Sequence, residues 1–186
     1  MNKRTYRITY CALLAAHLCV LSPLSVPLAG NVPISLATLG VMLAGCLLGP
    51  VDGMIAVAVY ILIGVAGVPV FAGYRSGLSV LLGVTGGYLL GYLPLAGITG
   101  LFARKAEKSA GMPALFLLFV GMLLGTAVLY LVGTVWFLFL TKMTLASALA
   151  ACVLPFLPGD LLKMVVVLVF SRSSVPLRQR LAARLS

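Results

Sequence analysis

Acidic side chains are almost absent from this chain, whose 186 residues include three Asp and Glu, one His and one Trp. So few carboxylates and imidazoles leave little for acid–base catalysis or for a His/Asp/Glu metal site, which disfavours an enzyme. The sequence also lacks the Gly-x-x-x-x-Gly-Lys-Ser/Thr motif of phosphate-binding loops, so this stretch encodes no ATPase. We therefore expect a binding protein without a metal ion or a resident cofactor.

The cysteines lack the spacing that would make them ligands or disulfide partners. Cys11, Cys19, Cys46 and Cys152 stand singly in apolar sequence, with neither a CxxC nor a CxxxH pattern. This distribution is typical of small buried hydrophobic side chains, so we predict neither a disulfide framework nor a metal site.

Apolar sequence is what the chain has in abundance. Its residues are 62% hydrophobic and only 9% charged, with a mean hydropathy of +1.20, whereas about a quarter of the residues in soluble domains are charged. We predict an all-α integral membrane protein that forms a single domain over residues 1–186. The net charge of +10 does not indicate nucleic acid binding, because the Lys and Arg residues lie at the ends of apolar segments, beside a lipid bilayer surface.

The apolar runs predict six transmembrane helices separated by Pro/Gly-rich or charged connections. A basic segment before an apolar run also fits a signal peptide, but no clean small-x-small cleavage site follows the first run. We predict the spans at residues 8–25, 36–48, 54–68, 80–102, 113–140 and 154–170.

The distribution of basic residues across these spans predicts the orientation of the chain. Ten Lys and Arg fall on one side, whereas only Arg75 and Lys142 fall on the other. Basic residues concentrate on the cytoplasmic side, so both termini are predicted to be cytoplasmic. Residues 171–186 carry four Arg with Leu at four-residue spacing, which favours a basic amphipathic cytoplasmic tail; a frayed polar tail is the alternative.

The sixth predicted span carries two opposite charges. Asp160 and Lys163 stand three residues apart, on one face of a helix, after Pro158-Gly159. An ionisable residue within a membrane span is costly and indicates a functional site. The alternative is a pair that only locks two helices together, but a buried ion pair is weak evidence for stability.

Two nearly uncharged connections are predicted on the outer side, near this pair. Residues 26–35 are rich in Pro and Gly and form a candidate lid or a short re-entrant connection. Residues 69–79 contain a single cation, Arg75, which fits a carboxylate ligand through its two-pronged guanidinium or anchors the helix at the membrane surface. Asp52, in a Gly-Pro-rich turn, is predicted to be a turn or cap residue.

Close helix packing and aromatic residues are predicted around the site. Gly83, Gly87 and Gly91 recur at spacings of four, which favours close approach of another helix or of a ligand. Trp136 near a helix end is typical of an interfacial belt, and a stacking surface for a ligand ring is the alternative. The candidate ligand-binding residues are Asp160, Lys163, Arg75, Ser76, Tyr74, Tyr88, Phe71 and Trp136.

Such a site fits a small, partly apolar molecule with fixed hydrogen-bonding groups. Asp160 would accept N–H bonds, and Lys163 would donate to a carbonyl or a carboxylate. A cyclic urea, with two N–H groups beside one C=O, would use both side chains.

Three segments carry a resemblance to a known family: VPISLATLGVMLAGCLLGP, GVPVFAGYRSGLSVLLGVTGGYLLGY and PFLPGDLLKMVV. They resemble the BioY family of biotin transporters, the substrate-binding S-components of energy-coupling factor (ECF) transporters. The resemblance implies a six-helix protein in the bacterial plasma membrane that captures biotin at the outer face. It also implies two kinds of partner, a transmembrane coupling subunit and two cytoplasmic ATPases that hydrolyse ATP.

The resemblance also implies roles for individual residues. The family's Asp and Lys of the sixth helix fall on Asp160 and Lys163, and its polar loop contacts fall around residues 74–76. Its alanine motif for packing on the coupling subunit falls on Ala12 and Ala16. Two alternatives remain at this point: an S-component for another small vitamin, and an intramembrane enzyme that modifies a lipid or vitamin.

Overall fold

The computed structural model describes residues 3–26, 34–107, 109 and 111–173. This part of the chain is mostly helical, as the composition predicts, and it also contains one short antiparallel β-ribbon, which the all-α prediction did not include. The elements, in chain order, are α1 (Lys3–Leu21), β1 (Ser25–Val26), β2 (Ile34–Ser35), α2 (Ala37–Leu48), α3 (Pro50–Val65), α4 (Leu78–Leu82), α5 (Gly86–Ala106), α6 (Met112–Thr141), α7 (Leu145–Cys152) and α8 (Leu157–Ser173).

The helices differ in their ability to cross a bilayer. In the described residues, α5 and α6 are long and apolar enough to span by themselves. The bent pair α7 and α8, whose axes differ by 45°, adds a third span if it is counted as one. Helices α2 and α3 are apolar but shorter. The helical membrane class is confirmed, whereas the number of six spans stays a prediction.

Reciprocal glycine contacts bring α5 and α6 close together. A Cβ added at Gly91 of α5 would lie 2.7 Å from Cδ1 of Leu129 in α6, and one added at Gly125 of α6 would lie 2.9 Å from Cδ1 of Leu95 in α5. Both distances are shorter than a normal carbon–carbon contact, so only glycine fits without movement of the facing leucine. The predicted close packing along this glycine stripe is confirmed at Gly91.

One predicted span and one predicted connection have a different internal structure. The span predicted at 80–102 is interrupted, because α4 ends at Leu82 and α5 begins at Gly86. The turn between them is tight, since a Cβ on Gly86 would lie 1.7 Å from the carbonyl oxygen of Leu81. The connection predicted between the fifth and sixth spans, which contains Lys142, includes a further helix, α7, whose start is capped by the Thr144 hydroxyl.

The candidate lid is described only at its two ends. Ser25 pairs with Ser35 in the β1–β2 ribbon, so the segment leaves and re-enters the helical bundle at one place. Residues 27–33 lie outside the described residues, as do residues 174–186 of the predicted amphipathic tail.

An ion pair joins α1 to α3. Asp52 lies within the first turn of α3, whose N-cap is Gly49 and has no side-chain cap bond, so the prediction of a turn or cap residue is wrong. Nη2 of Arg7 donates to Oδ1 of Asp52 over 2.6 Å, and Nε of Arg7 also contacts the carboxylate. The thiol of Cys11, one turn after Arg7, donates to the carbonyl oxygen of Asp52. The sequence pattern did not predict this connection.

Candidate functional site

Asp160 lies in the first turn of α8, and its side chain is buried. The helix begins at Leu157 and continues through Pro158, which is tolerated there because backbone N–H groups in a first turn have no partner within the helix. Asp160 is 3% exposed. The positive end of the helix dipole stabilises a carboxylate at this position, which offsets part of the cost of its burial.

Lys163 forms the predicted ion pair with Asp160 and has three acceptors in all. Its Nζ donates to Oδ1 of Asp160 over 2.8 Å, to the carbonyl oxygen of Ser35 over 2.7 Å and to Oγ1 of Thr38 over 2.9 Å. An ammonium group carries three protons. All three N–H donors of Lys163 are therefore directed to acceptors of the protein, from β2, α2 and α8.

Two hydroxyl groups complete the environment of the Asp160 carboxylate. Thr38 donates to Oδ1 over 3.0 Å, and Tyr130 of α6 donates to Oδ2 over 2.6 Å. Since Oδ1 receives two donors and Oδ2 one, Oδ2 retains acceptor capacity. The charge pair thus joins α2, α6 and α8.

This network forms one wall of a cavity, which we call the Asp160 cavity. It contains about 380 Å³ of space free of atoms, part of it open. Aromatic rings and polar groups alternate on its surface, which suits a ligand with an apolar body and a few fixed polar atoms. The cavity is lined by Ser35, Thr38, Tyr88, Tyr92, Leu129, Tyr130, Phe156, Asp160 and Lys163.

A second cavity, the Arg75 cavity, adjoins the first. It contains about 440 Å³ of space free of atoms, part of it open to solvent, and is lined by Ser22, Ser35, Ala72, Arg75, Val80, Thr85, Tyr88, Leu89 and Tyr92. Ser35, Tyr88 and Tyr92 line both cavities. The predicted convergence of the 69–79 connection with the charge pair is therefore confirmed, because the two cavities share these walls.

Four of the predicted binding residues line this pair of cavities, and a fifth lies next to them. Asp160, Lys163 and Tyr88 line the Asp160 cavity, and Arg75 and Tyr88 line the second one. Ser76 lies beside Arg75 in a more open pocket at the surface.

The structure places three other predicted binding residues elsewhere. Phe71 is buried against Tyr60, with an edge-to-face ring contact at 5.7 Å. Tyr74 is 66% exposed and has a positive φ of 59°. Nε1 of Trp136 donates to the carbonyl oxygen of Gly83 over 2.9 Å, which ties α6 to the turn before α5. None of the three is among the described residues that line the two cavities.

Sequence reasoning missed six polar residues that line the two cavities: Ser22, Ser35, Thr38, Thr85, Tyr92 and Tyr130. Each is a hydroxyl-bearing residue within or beside an apolar segment, and this is the signal that could have identified it. The signal is weak, because Thr99, Thr126 and Thr134 share it and do not line the two cavities.

Ala12 and Ala16 lie on the outward face of α1. Both are exposed, whereas Leu14, Ala15 and Leu18 on the opposite face are buried. The two small residues therefore present a flat surface on which another helix can pack closely.

A partly enclosed polar site within a helical membrane bundle fits a transport protein that binds its substrate inside the bundle. The profile of the BioY family matches residues 1–180, and the chain belongs to this family.

Known proteins resemble the chain over nearly its whole length. It is 36% identical to the biotin transporter BioY2 of Lactococcus lactis, over 91% of this chain and 90% of that protein. It is 32% identical to the probable biotin transporter BioY of Pyrococcus horikoshii, over 88% and 93%. The crystal structure of the S-component for biotin from an ECF-type ABC transporter matches with a TM-score of 0.80 and 30% identity, covering 91% of this chain and 90% of that one.

Proposed function

We propose that this chain captures biotin at the outer face of the bacterial plasma membrane, as the S-component of an ATP-driven ECF transporter. The observation that carries the proposal is the buried network of Asp160, Lys163, Thr38 and Tyr130 at the wall of a cavity. Similarity to biotin transporters supports the choice of ligand.

The geometry suits the two polar ends of biotin. The ureido ring presents N–H groups, and Oδ2 of Asp160 retains acceptor capacity for one of them. Arg75 lines the adjoining cavity, where its guanidinium would pair with the carboxylate at the other end of the ligand. We therefore place the ureido ring in the Asp160 cavity and the carboxylate towards Arg75.

The proposed topology has six spans with both termini in the cytoplasm. Helix α2 has 12 residues, which at about 1.5 Å per residue is shorter than a bilayer core of about 30 Å. Non-helical backbone at membrane depth is tolerated where it lines a cavity, and Ser35, just before α2, lines both cavities. The basic residues on one side of the spans support the orientation.

ATP-driven transport would need partners that hydrolyse ATP, because this stretch has no phosphate-binding loop. We propose that Ala12 and Ala16 contact the transmembrane coupling subunit and that two cytoplasmic ATPases supply the energy. The exposed, small-residue face of α1 supports this assignment.

The test measures ligand binding to the chain purified in detergent without partners. We expect biotin to raise the midpoint of thermal unfolding, since a ligand that binds only the folded state stabilises it. Mass spectrometry of the purified protein should detect biotin as the bound small molecule. Stabilisation by a different vitamin and not by biotin would contradict the proposal and indicate an S-component for that vitamin. Turnover of a bound ligand would indicate an enzyme.

A further inference from the structure

The hydroxyl group of Tyr92 differs from the other tyrosine hydroxyls of the Asp160 cavity. Tyr130 donates to Asp160, and Tyr88 donates to the carbonyl oxygen of Cys152 over 3.4 Å. Tyr92 is 9% exposed and makes no side-chain hydrogen bond with any of the described residues. Its oxygen is not among the fully buried oxygens that lack a partner in the described residues, so it is accessible from the cavity, and its unused donor needs an explanation.

The location of Tyr92 supplies one. It lies on α5 between the two cavities and belongs to the lining of both. A molecule that occupies both cavities therefore lies beside its side chain, together with Ser35 and Tyr88.

The other candidate donor of the cavity is already in use. All three N–H groups of Lys163 are directed to protein acceptors, at 2.7 to 2.9 Å. A ligand carbonyl that bound Lys163 would have to displace one of these acceptors. The Tyr92 hydroxyl can bind a ligand without losing a hydrogen bond to any of the described residues.

We infer that the Tyr92 hydroxyl donates a hydrogen bond directly to the carbonyl oxygen of the bound ligand. This inference rests on the proposed function, in which the ligand is the cyclic urea of biotin. In the bound state, Asp160 accepts from a ureido N–H group and Tyr92 donates to the ureido oxygen. Asp160 and Tyr92 thus bind complementary groups of one ring. The site therefore prefers a cyclic urea to a ring without the carbonyl group.

The variant Tyr92→Phe separates a ligand contact from a structural role. We expect it to weaken biotin binding on the order of ten-fold, the usual effect of one lost hydrogen bond. It should not lower the midpoint of thermal unfolding without ligand, because the hydroxyl loses no described partner. The control Tyr60→Phe should lower that midpoint, because Tyr60 shares a buried hydrogen bond with Ser22.

A ligand analogue identifies the atom that Tyr92 contacts. When sulfur, a weak acceptor, replaces the ureido oxygen of biotin, the contribution of Tyr92 should largely disappear. Tyr92→Phe should then change the affinity for the analogue by less than about two-fold. Isothermal titration calorimetry on both proteins with both ligands gives the four affinities.

Three results would overturn the inference. Equal affinity of wild type and Tyr92→Phe for biotin would exclude a contact. Equal losses for biotin and for the sulfur analogue would exclude the ureido oxygen as the acceptor. A wild-type protein that does not bind biotin would overturn the proposed function and this inference with it. This failure is distinguishable from failure of the inference alone, because it is seen in the wild-type protein without the variant.

Discussion

Tyr130 and Asp160 are joined between two helices by a short hydrogen bond: the Tyr130 hydroxyl on α6 donates to Oδ2 of Asp160 on α8 over 2.6 Å. On its other oxygen the same carboxylate receives Thr38 and Lys163. Asp160 is therefore oriented by three elements of the fold before a ligand arrives, and such preorganisation reduces the entropy cost of binding.

Asp160→Asn tests the central residue of the site. The change places an amide beside Lys163, leaves a buried cation without its counter-charge and removes an acceptor for the ligand. We expect biotin affinity to fall by about 100-fold or more, and stability to fall by about 3–5 kcal/mol. Calorimetry and thermal unfolding in detergent measure the two effects.

A double variant, Asp160→Leu/Lys163→Leu, serves as the control for folding. Replacing both charges by apolar side chains should recover part of the thermal stability, because no charge is left unpaired although the Thr38 and Tyr130 hydroxyls lose their acceptor, while biotin binding stays lost. Wild-type affinity in Asp160→Asn would remove this residue from the site.

Tyr130→Phe tests whether the orientation of Asp160 contributes to affinity. The variant keeps the ring but removes a hydrogen bond to a charged group, a loss of about 1.5–3 kcal/mol. We expect lower thermal stability and weaker biotin binding together, because the carboxylate gains freedom to rotate. In the control Tyr10→Phe, on α1 and outside the described lining of both cavities, biotin affinity should stay the same. An unchanged affinity in Tyr130→Phe would show that Thr38 and Lys163 orient Asp160 without it.

Gly133→Ala tests the position of the Tyr88 ring. A Cβ at this residue would lie 2.3 Å from Cε1 of Tyr88, so the ring must move within the cavity. We expect weaker biotin binding and a loss of stability of about 1–3 kcal/mol from overpacking. Gly121→Ala is the matched control, because its Cβ would contact Phe102 at the same distance of 2.3 Å. That variant should lose stability but keep its affinity; equal losses of affinity in both would argue for a general effect on the fold.

Arg7→Gln tests the link between α1 and α3. It removes the donors to Asp52 and leaves that buried carboxylate without its cation, so we expect a lower midpoint of thermal unfolding. The increase in midpoint caused by biotin should stay as in wild type, because neither residue lines the two cavities. Arg4→Gln, an exposed cation on the same helix, should have little effect.

Ala12→Leu and Ala16→Leu test the proposed contact with the coupling subunit. Bulky side chains on this exposed face should prevent close helix packing, so co-purification with the coupling subunit should be lost while biotin binding persists. Leu131→Phe, also on an exposed surface but on α6, should co-purify normally. Intact co-purification of both alanine variants would place the interface elsewhere.

Much of the architecture could be predicted because it depends on composition and local pattern. Apolar runs of bilayer length predict membrane helices, and the fifth predicted span, 113–140, differs from α6 by one residue at each end. The interruption between α4 and α5 was missed, because an apolar run looks the same whether or not Gly83 and Gly86 allow a tight turn.

The sequence by itself determined the membrane class and the pairing of Asp160 with Lys163, since three residues on one helix place two side chains together whatever surrounds them. Only the tertiary structure decided which partners the pair has. Thr38 and Tyr130 lie 122 and 30 residues from Asp160 along the chain. The packing of α2, α6 and α8 alone brings these hydroxyl groups within hydrogen-bond distance, and no local pattern of residues encodes that distance.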